Sequence, residues 1–174
     1  MHHVAKPEAP FVFPFHQKLE SNCKIDIFGE VSPSEDRYFV DILSGPHSLL
    51  NIEFTFGDQR WITLRSCSSD IDTNEIDEIS NPLKGGMKFH INIVVRLNYY
   101  HIRLNGYTIA LFPHRFPPEL AQCIAISKCV KIVSVNVEGF QNRREWNFGS
   151  IESRQGSQST EQPIYLSGED LRWA

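Results

Sequence analysis

A regular alternation of apolar and polar residues is the feature that most constrains how this chain folds. In NIEFTF (residues 51–56), apolar side chains at 52, 54 and 56 alternate with polar side chains at 51, 53 and 55. Because successive side chains of a strand point to opposite faces, this period of two predicts a strand with one buried face. Similar short segments recur at residues 23–31, 37–43, 61–66, 87–95, 99–104, 107–112 and 130–137.

The connections between these segments favour an antiparallel arrangement. Asn105-Gly106 separates two alternating segments, and the two central residues of a type I′ hairpin turn both need a positive φ, which Asn and Gly tolerate best. Short strands spaced by about 8–12 residues, with Gly, Pro and Asn between them, are typical of a sandwich or barrel. The only helical candidate, PPELAQCI (117–124), is short enough to form a single turn. The predicted fold class is all-β.

The length and the local composition of the chain predict one domain with a tail. A length of 174 residues suits a single domain with a sizeable core. We expect an N-terminal extension over 1–10, a domain over 11–138 and a polar, mostly flexible C-terminal tail over 139–174, where Ser, Gln, Glu and Arg dominate. The tail ends in PIYLSGEDLRWA, which either packs back on the domain or docks on a protein partner. The candidate partner-binding residues are Tyr165, Leu166, Leu171 and Trp173.

Composition narrows the classes of function. A net charge of −4 and an isoelectric point near 6.0 give no basic face for nucleic acid. The sequence has no apolar run of membrane-spanning length and no Sec-type leader, and its four cysteines lack a paired spacing, so we expect a cytoplasmic protein with reduced thiols. The seven histidines show no metal-binding spacing, and no nucleophile motif or phosphate loop occurs. We therefore expect no enzyme activity, no metal and no cofactor.

Over residues 11–138 the chain resembles the galectin family. The segments FVFPF, CKIDIFGEV, RYFVDILSG and NPLKGGMKFHINI follow the family's order, and IRLNGYTIALFPHRFPPELAQCIAISKCVKIVSV carries the densest similarity. The resemblance implies a two-sheet antiparallel sandwich of the jelly-roll, concanavalin-like type, with a shallow sugar groove on the concave sheet. It also implies a glycan partner, and it allows a homodimer and secretion without a leader.

The residues that contact galactose in this family are mostly replaced here. The family pattern is His-x-Asn-x-Arg, then an Asn on the next strand, then Trp and Glu-x-Arg. Keeping residues 52, 54 and 56 inward puts Thr55, Gly57 and Gln59 at the first three of those positions. Keeping residues 62 and 64 inward puts Arg65 at the next position, and counting back from Pro82 puts Asp72, Glu75 and Asp77 at the last three. Only Glu75 keeps the family's residue type, and Arg60 lies one position from the place of the first Arg.

These replacements predict a mixed polar groove rather than a standard galactoside site. Binding near 1 mM corresponds to only about 4 kcal/mol, and one hydrogen bond to a charged group contributes roughly 1.5–3 kcal/mol. Losing several such contacts removes more than a weak site has to give. The candidate carbohydrate-binding residues are Glu53, Thr55, Gln59, Arg60, Arg65, Asp72, Glu75 and Asp77.

Two alternatives stay open at this groove. Arg65 either forms a surface ion pair with Glu53 or Glu75, or belongs to a pocket for a different glycan. For Trp61 we favour a buried ring that caps the sheet over a ring that stacks on sugar. Two functions remain: carbohydrate binding with altered or weakened β-galactoside recognition, and a protein–protein interaction module that no longer binds sugar.

Overall fold

The computed structural model describes residues 1–34, 36–68, 77–127 and 130–140. Within these ranges the chain forms strands and one short 3₁₀ turn, Pro118–Leu120. The strands are β1 (His2–Ala5), β2 (Phe11–Pro14), β3 (Lys24–Val31), β4 (Arg37–Ser44), β5 (His47–Thr55), β6 (Trp61–Cys67), β7 (Asp77–Ser80), β8 (Lys88–Val95), β9 (Tyr99–Leu104), β10 (Tyr107–Pro113), β11 (Cys123–Ile126) and β12 (Val130–Glu138).

The strands form two six-stranded antiparallel sheets. The first sheet has the order β1-β12-β3-β8-β9-β10, and the second has the order β2-β11-β4-β5-β6-β7. Every described strand pair is antiparallel. The predicted all-β, two-sheet antiparallel sandwich is confirmed. Among the described residues, no helix has the length and apolar character that crossing a membrane requires.

The core lies between the sheets, on the faces that the alternation predicts. Ile52 and Phe54 of β5 are fully buried, and so are Ile25 and Ile27 of β3 on the opposite sheet. The Tyr38 ring stacks on Phe54 with the ring centres 4.4 Å apart. Burying one such side chain stabilises the fold by roughly 1.5–3 kcal/mol, so the inward phase of β5 is strongly specified.

The turn at Asn105-Gly106 forms as predicted. Asn105 has a φ of 49° and Gly106 a φ of 85°, as a type I′ turn requires. Asn105 also pairs with the neighbouring strand: its backbone N–H donates to His90 O at 2.9 Å, and its Oδ1 accepts from His90 N at 2.8 Å. The turn thus sets the register of both β9 and β8.

Several elements differ from the predicted boundaries. The first ten residues contain a strand, because β1 pairs with β12 along its whole length. β5 begins four residues before the alternation does, and β7 was not predicted. The segment 117–124 is helical only in its 3₁₀ turn, and its last two residues begin β11. β11 does not alternate, because Cys123 and Ala125 on its outer side pack against Leu43 while Ile124 and Ile126 face the core.

Candidate functional site

The second sheet carries polar side chains in ordered rows on its outward face. Because Ile52, Phe54, Ile62 and Leu64 point into the core, the residues between them point outward. Residues that lie directly opposite each other on neighbouring strands share a face, so β4, β5 and β6 together define three rows. The rows are Asp41-Asn51-Arg65, Phe39-Glu53-Thr63 and Arg37-Thr55, the last ending beside Trp61.

A buried aspartate organises the first row. Asp41 is only 5% exposed, and its Oδ1 accepts one hydrogen bond from Ser48 Oγ at 2.7 Å and another from Asn51 Nδ2 at 2.9 Å. Asn51 in turn accepts from Arg65 Nε at 3.2 Å. Burying a carboxylate is costly unless hydrogen bonds satisfy it, and these donors do so. The guanidinium of Arg65 is therefore positioned from β4 through β5.

The second row connects to the first through Glu53. Its carboxylate lies 3.6 Å from Arg65 Nη2 and 3.8 Å from Arg37 Nη1, and its side chain is 14% exposed. The Arg37 guanidinium also lies 5.6 Å from the centre of the Phe39 ring. Of the two alternatives for Arg65, the ion pair with Glu53 is present. The Arg37 side chain is 66% exposed and that of Arg65 is 41% exposed, so water screens both pairs and each contributes only about 0–1 kcal/mol.

Thr55 and Trp61 close the β5–β6 hairpin at the end of this face. The Thr55 hydroxyl accepts from Trp61 N at 3.0 Å and donates to Trp61 O at 3.2 Å. Asn81, which is buried, donates its Nδ2 to Thr55 O at 2.9 Å and its backbone N–H to Arg60 O at 3.1 Å. The hairpin end is thus held by hydrogen bonds within the hairpin and by Asn81 of the connection after β7.

The Trp61 ring is not buried, so the interpretation that favoured a buried cap is wrong. Trp61 is 41% exposed and points outward, because Ile62 beside it is fully buried. It lies opposite Ser80 on β7. An exposed indole next to a polar row is the kind of surface on which the apolar side of a sugar ring stacks.

The remaining candidate residues are distributed differently from the prediction. Gln59 and Arg60 lie in the exposed β5–β6 turn. Asp77 lies opposite the buried Leu64, so it stands on the side of β7 that faces the core and not on the predicted outward face. Glu78, opposite Thr63, stands on the outward face instead. Asp72 and Glu75, together with the tail residues Tyr165, Leu166, Leu171 and Trp173, lie outside the described residues.

Sequence reasoning missed Asp41 and Ser48, which together with Asn51 position Arg65. One signal was available: Asp41 interrupts the apolar segment RYFVDIL at an outward position of a strand. A carboxylate there must find donors, and the neighbouring strand is where they lie. The identity of those donors was not readable, because the β4–β5 register shifts between Ile42 and Leu43.

Comparison with known proteins identifies the family. Residues 10–137 match the family model of the galactoside-binding lectins. "Probable galaptin lec-8" of Caenorhabditis elegans is 33% identical over 148 residues, covering 84% of this chain and 82% of that protein. "Probable galaptin lec-7" of the same organism is 31% identical over 147 residues, with the same coverage. The chain therefore belongs to the galectin family, as its sequence resemblance indicated.

A solved structure agrees with the fold. The Caenorhabditis elegans galectin LEC-6 superimposes with a TM-score of 0.73 at 18% identity, covering 79% of this chain and 96% of that one. At this identity the likeness concerns the fold alone. The rows of the outward face belong to this chain and are interpreted from its own residues.

Proposed function

We propose that this protein is a carbohydrate-binding lectin in which β-galactoside recognition is altered or weakened. The observation that carries the proposal is the cross-strand register that brings the exposed Trp61 beside Thr55, with Glu53 and Arg65 in the adjoining rows. A stacking ring bordered by hydroxyl, carboxylate and guanidinium groups suits a sugar, which has one apolar face and many hydroxyls.

The existing hydrogen bonds support weakened galactoside recognition. Thr55 stands where the family has His, and its hydroxyl already bonds to the backbone of Trp61. Arg65 stands where the family has Asn, and it is held by Asn51 and Glu53. A neutral sugar hydroxyl must displace these bonds or use what they leave over. A dissociation constant of 1 mM corresponds to only about 4 kcal/mol of binding free energy. We therefore expect lactose to bind this chain with a dissociation constant above about 1 mM.

The test is a lactose titration of the full chain by calorimetry, run beside a broad glycan array. We expect little or no heat with lactose and binding of at least one other glycan on the array. Trp61→Ala should abolish that binding, and Arg65→Gln should weaken it. The matched controls lie on the first sheet: Tyr107→Ala removes another exposed ring, and Arg103→Gln removes another arginine of a strand. Tight lactose binding would contradict altered recognition.

A second candidate, a protein–protein interaction module that no longer binds sugar, is favoured by one observation. Glu53 is flanked by Arg37 and Arg65, so the face satisfies much of its own charge. This candidate predicts an empty array and a protein partner that is lost when alanine replaces the tail residues Tyr165, Leu166, Leu171 and Trp173 in the full chain. An array that is positive and sensitive to Trp61→Ala would exclude it as the main function.

A further inference from the structure

A pocket at one end of the sandwich adjoins the outward face of the second sheet. Its volume is about 260 Å³, and three connections line it: the one before β4, the β5–β6 turn and the one before β8. Phe56 and Arg60 contribute to its wall, and they directly follow Thr55 and directly precede Trp61 in the chain. The pocket therefore begins where the row of Thr55 and Trp61 ends.

Backbone contacts hold the walls of this end pocket in place. Phe56 N donates to Asp36 O at 2.7 Å, which joins the β5–β6 turn to the connection before β4. Gly86 N donates to Val31 O at 2.8 Å. Gly85 packs so closely that a Cβ there would lie 2.9 Å from Pro33 Cα. With the bond from Asn81 N to Arg60 O, all three connections are fastened together, so a ligand meets a preformed cavity.

The charged groups of the end pocket favour an anion. Arg60 and Lys84 reach it from two different turns, and Asp36 is the one acidic residue among its described lining residues. Within the described part of the chain, neither cation forms an ion pair. Arginine and lysine are the side chains that best bind sulfate and carboxylate groups, the first through a planar fork and the second as a point charge.

We propose that the end pocket binds an anionic substituent, a sulfate or a carboxylate, of a saccharide whose ring lies on Trp61 and Thr55. This inference rests on the proposed lectin function and adds the class of glycan. Arg60 and Lys84 hold the anion, Phe56 supplies the apolar wall, and Asp36 opposes binding by its like charge. The negative charge of the ligand, rather than a particular hydroxyl, then determines which saccharides bind.

The experiment compares matched ligands on the full chain. A neutral saccharide found on the array, its sulfated form and its carboxylate-bearing form are each titrated by calorimetry at low and at physiological salt. Arg60→Gln and Lys84→Gln should each weaken binding of an anionic form by about fivefold or more, and the double variant should bind all three forms equally. Asp36→Asn should strengthen binding of the anionic forms. Lys131→Gln, which removes an exposed lysine of β12, is the control.

The outcomes distinguish a failure of this inference from a failure of the proposed function. If the neutral form binds as tightly as both anionic forms, the end pocket is not an anion site, while the lectin proposal stands. An anionic preference that survives the double variant also refutes the inference. If the protein binds neither neutral nor anionic saccharides, both proposals are wrong. A preference for only one anionic form supports the inference and names the substituent. Unchanged thermal unfolding of the variants excludes misfolding as the cause.

Discussion

Replacing Asp41 tests how much the polar network of the outward face contributes to the stability of the fold. Asp41→Ala removes the acceptor that Ser48 Oγ and Asn51 Nδ2 share, and both of those residues are buried, at 2% and 7% exposure. A hydrogen bond to a charged group contributes roughly 1.5–3 kcal/mol, and a buried donor left unpaired costs about 1–3 kcal/mol. Two such bonds set an upper range of about 3–6 kcal/mol. Because alanine is smaller than aspartate and leaves room for water beside the freed donors on the outward face, we expect the lower end of this range, a loss of about 3 kcal/mol in the free energy of unfolding.

Urea denaturation followed by tryptophan fluorescence measures this loss. With an m-value near 2 kcal/mol/M, the midpoint of unfolding should fall by about 1.5 M while the m-value stays constant. Asp41→Asn keeps one side-chain oxygen as an acceptor and should lose about half as much. Ser48→Ala removes one of the two bonds and should cost about 1–1.5 kcal/mol.

A matched control and a double variant make the result decisive. Asp58→Ala removes an exposed aspartate from the β5–β6 turn and should change stability by less than about 0.5 kcal/mol. The double variant of Asp41 and Ser48 should lose less than the sum of the two single losses, because both remove the same bond. A loss below about 1 kcal/mol for Asp41→Ala, or strict additivity with Ser48→Ala, would refute the assignment of Asp41 as the shared acceptor.

Three further predictions concern the core. Gly29→Ala should destabilise the protein by about 1–3 kcal/mol in urea, because the new Cβ would lie 2.5 Å from Phe89 Cζ and 2.8 Å from the backbone oxygen of Lys131; an unchanged midpoint would contradict that packing. Tyr38→Phe should leave stability unchanged or raise it by about 1 kcal/mol, because the buried hydroxyl has no hydrogen-bond partner among the described residues, and a clear loss would show that it has one. Burial raises the pKa of the Cys123 thiol to about 12 from its ordinary value near 9, so alkylation at pH 8 followed by peptide mapping should leave Cys123 unmodified in the native chain and modify it in urea. Rapid labelling of Cys123 in the native chain would contradict this raised pKa. Because the folded state holds the thiol proton more tightly than the unfolded state does, the free energy of unfolding should also fall as the pH rises from about 9 toward 12.

The strands and their inward faces were readable from the sequence because they depend on local periodicity. Phe54 and its alternate neighbours follow a period of two that only a half-buried strand satisfies, and a shift by one residue would expose all of them. The Asn105-Gly106 turn was readable for a similar reason, since its two positive φ values are a property of the dipeptide. The outward positions of Glu53, Thr55 and Arg65 follow from the same phase.

The contacts across strands were not readable, because register depends on irregularities that periodicity does not report. The face of Asp77 was assigned by counting back from Pro82, whereas the pairing of β7 with β6 puts Glu78 outward instead. The contact between Ser48 and Asp41 depends on the irregularity in the β4–β5 ladder. The exposure of Trp61 depends on its place at a hairpin end on the outward face of the sheet.

The paired charges of the outward face also bear on which ligands can bind there. A sugar hydroxyl that approaches Arg65 competes with the Glu53 carboxylate, and a neutral acceptor forms a weaker hydrogen bond with a guanidinium than a charged one does. An anionic group offers the arginine the same kind of partner as Glu53, although the like charge of that carboxylate opposes its approach. In the end pocket, Arg60 and Lys84 form no ion pair within the described residues, so an anion there displaces no existing partner. The two proposals, weak recognition of a neutral galactoside and preference for an anionic saccharide, therefore share one physical basis: an arginine or lysine binds a charged acceptor more strongly than a neutral hydroxyl.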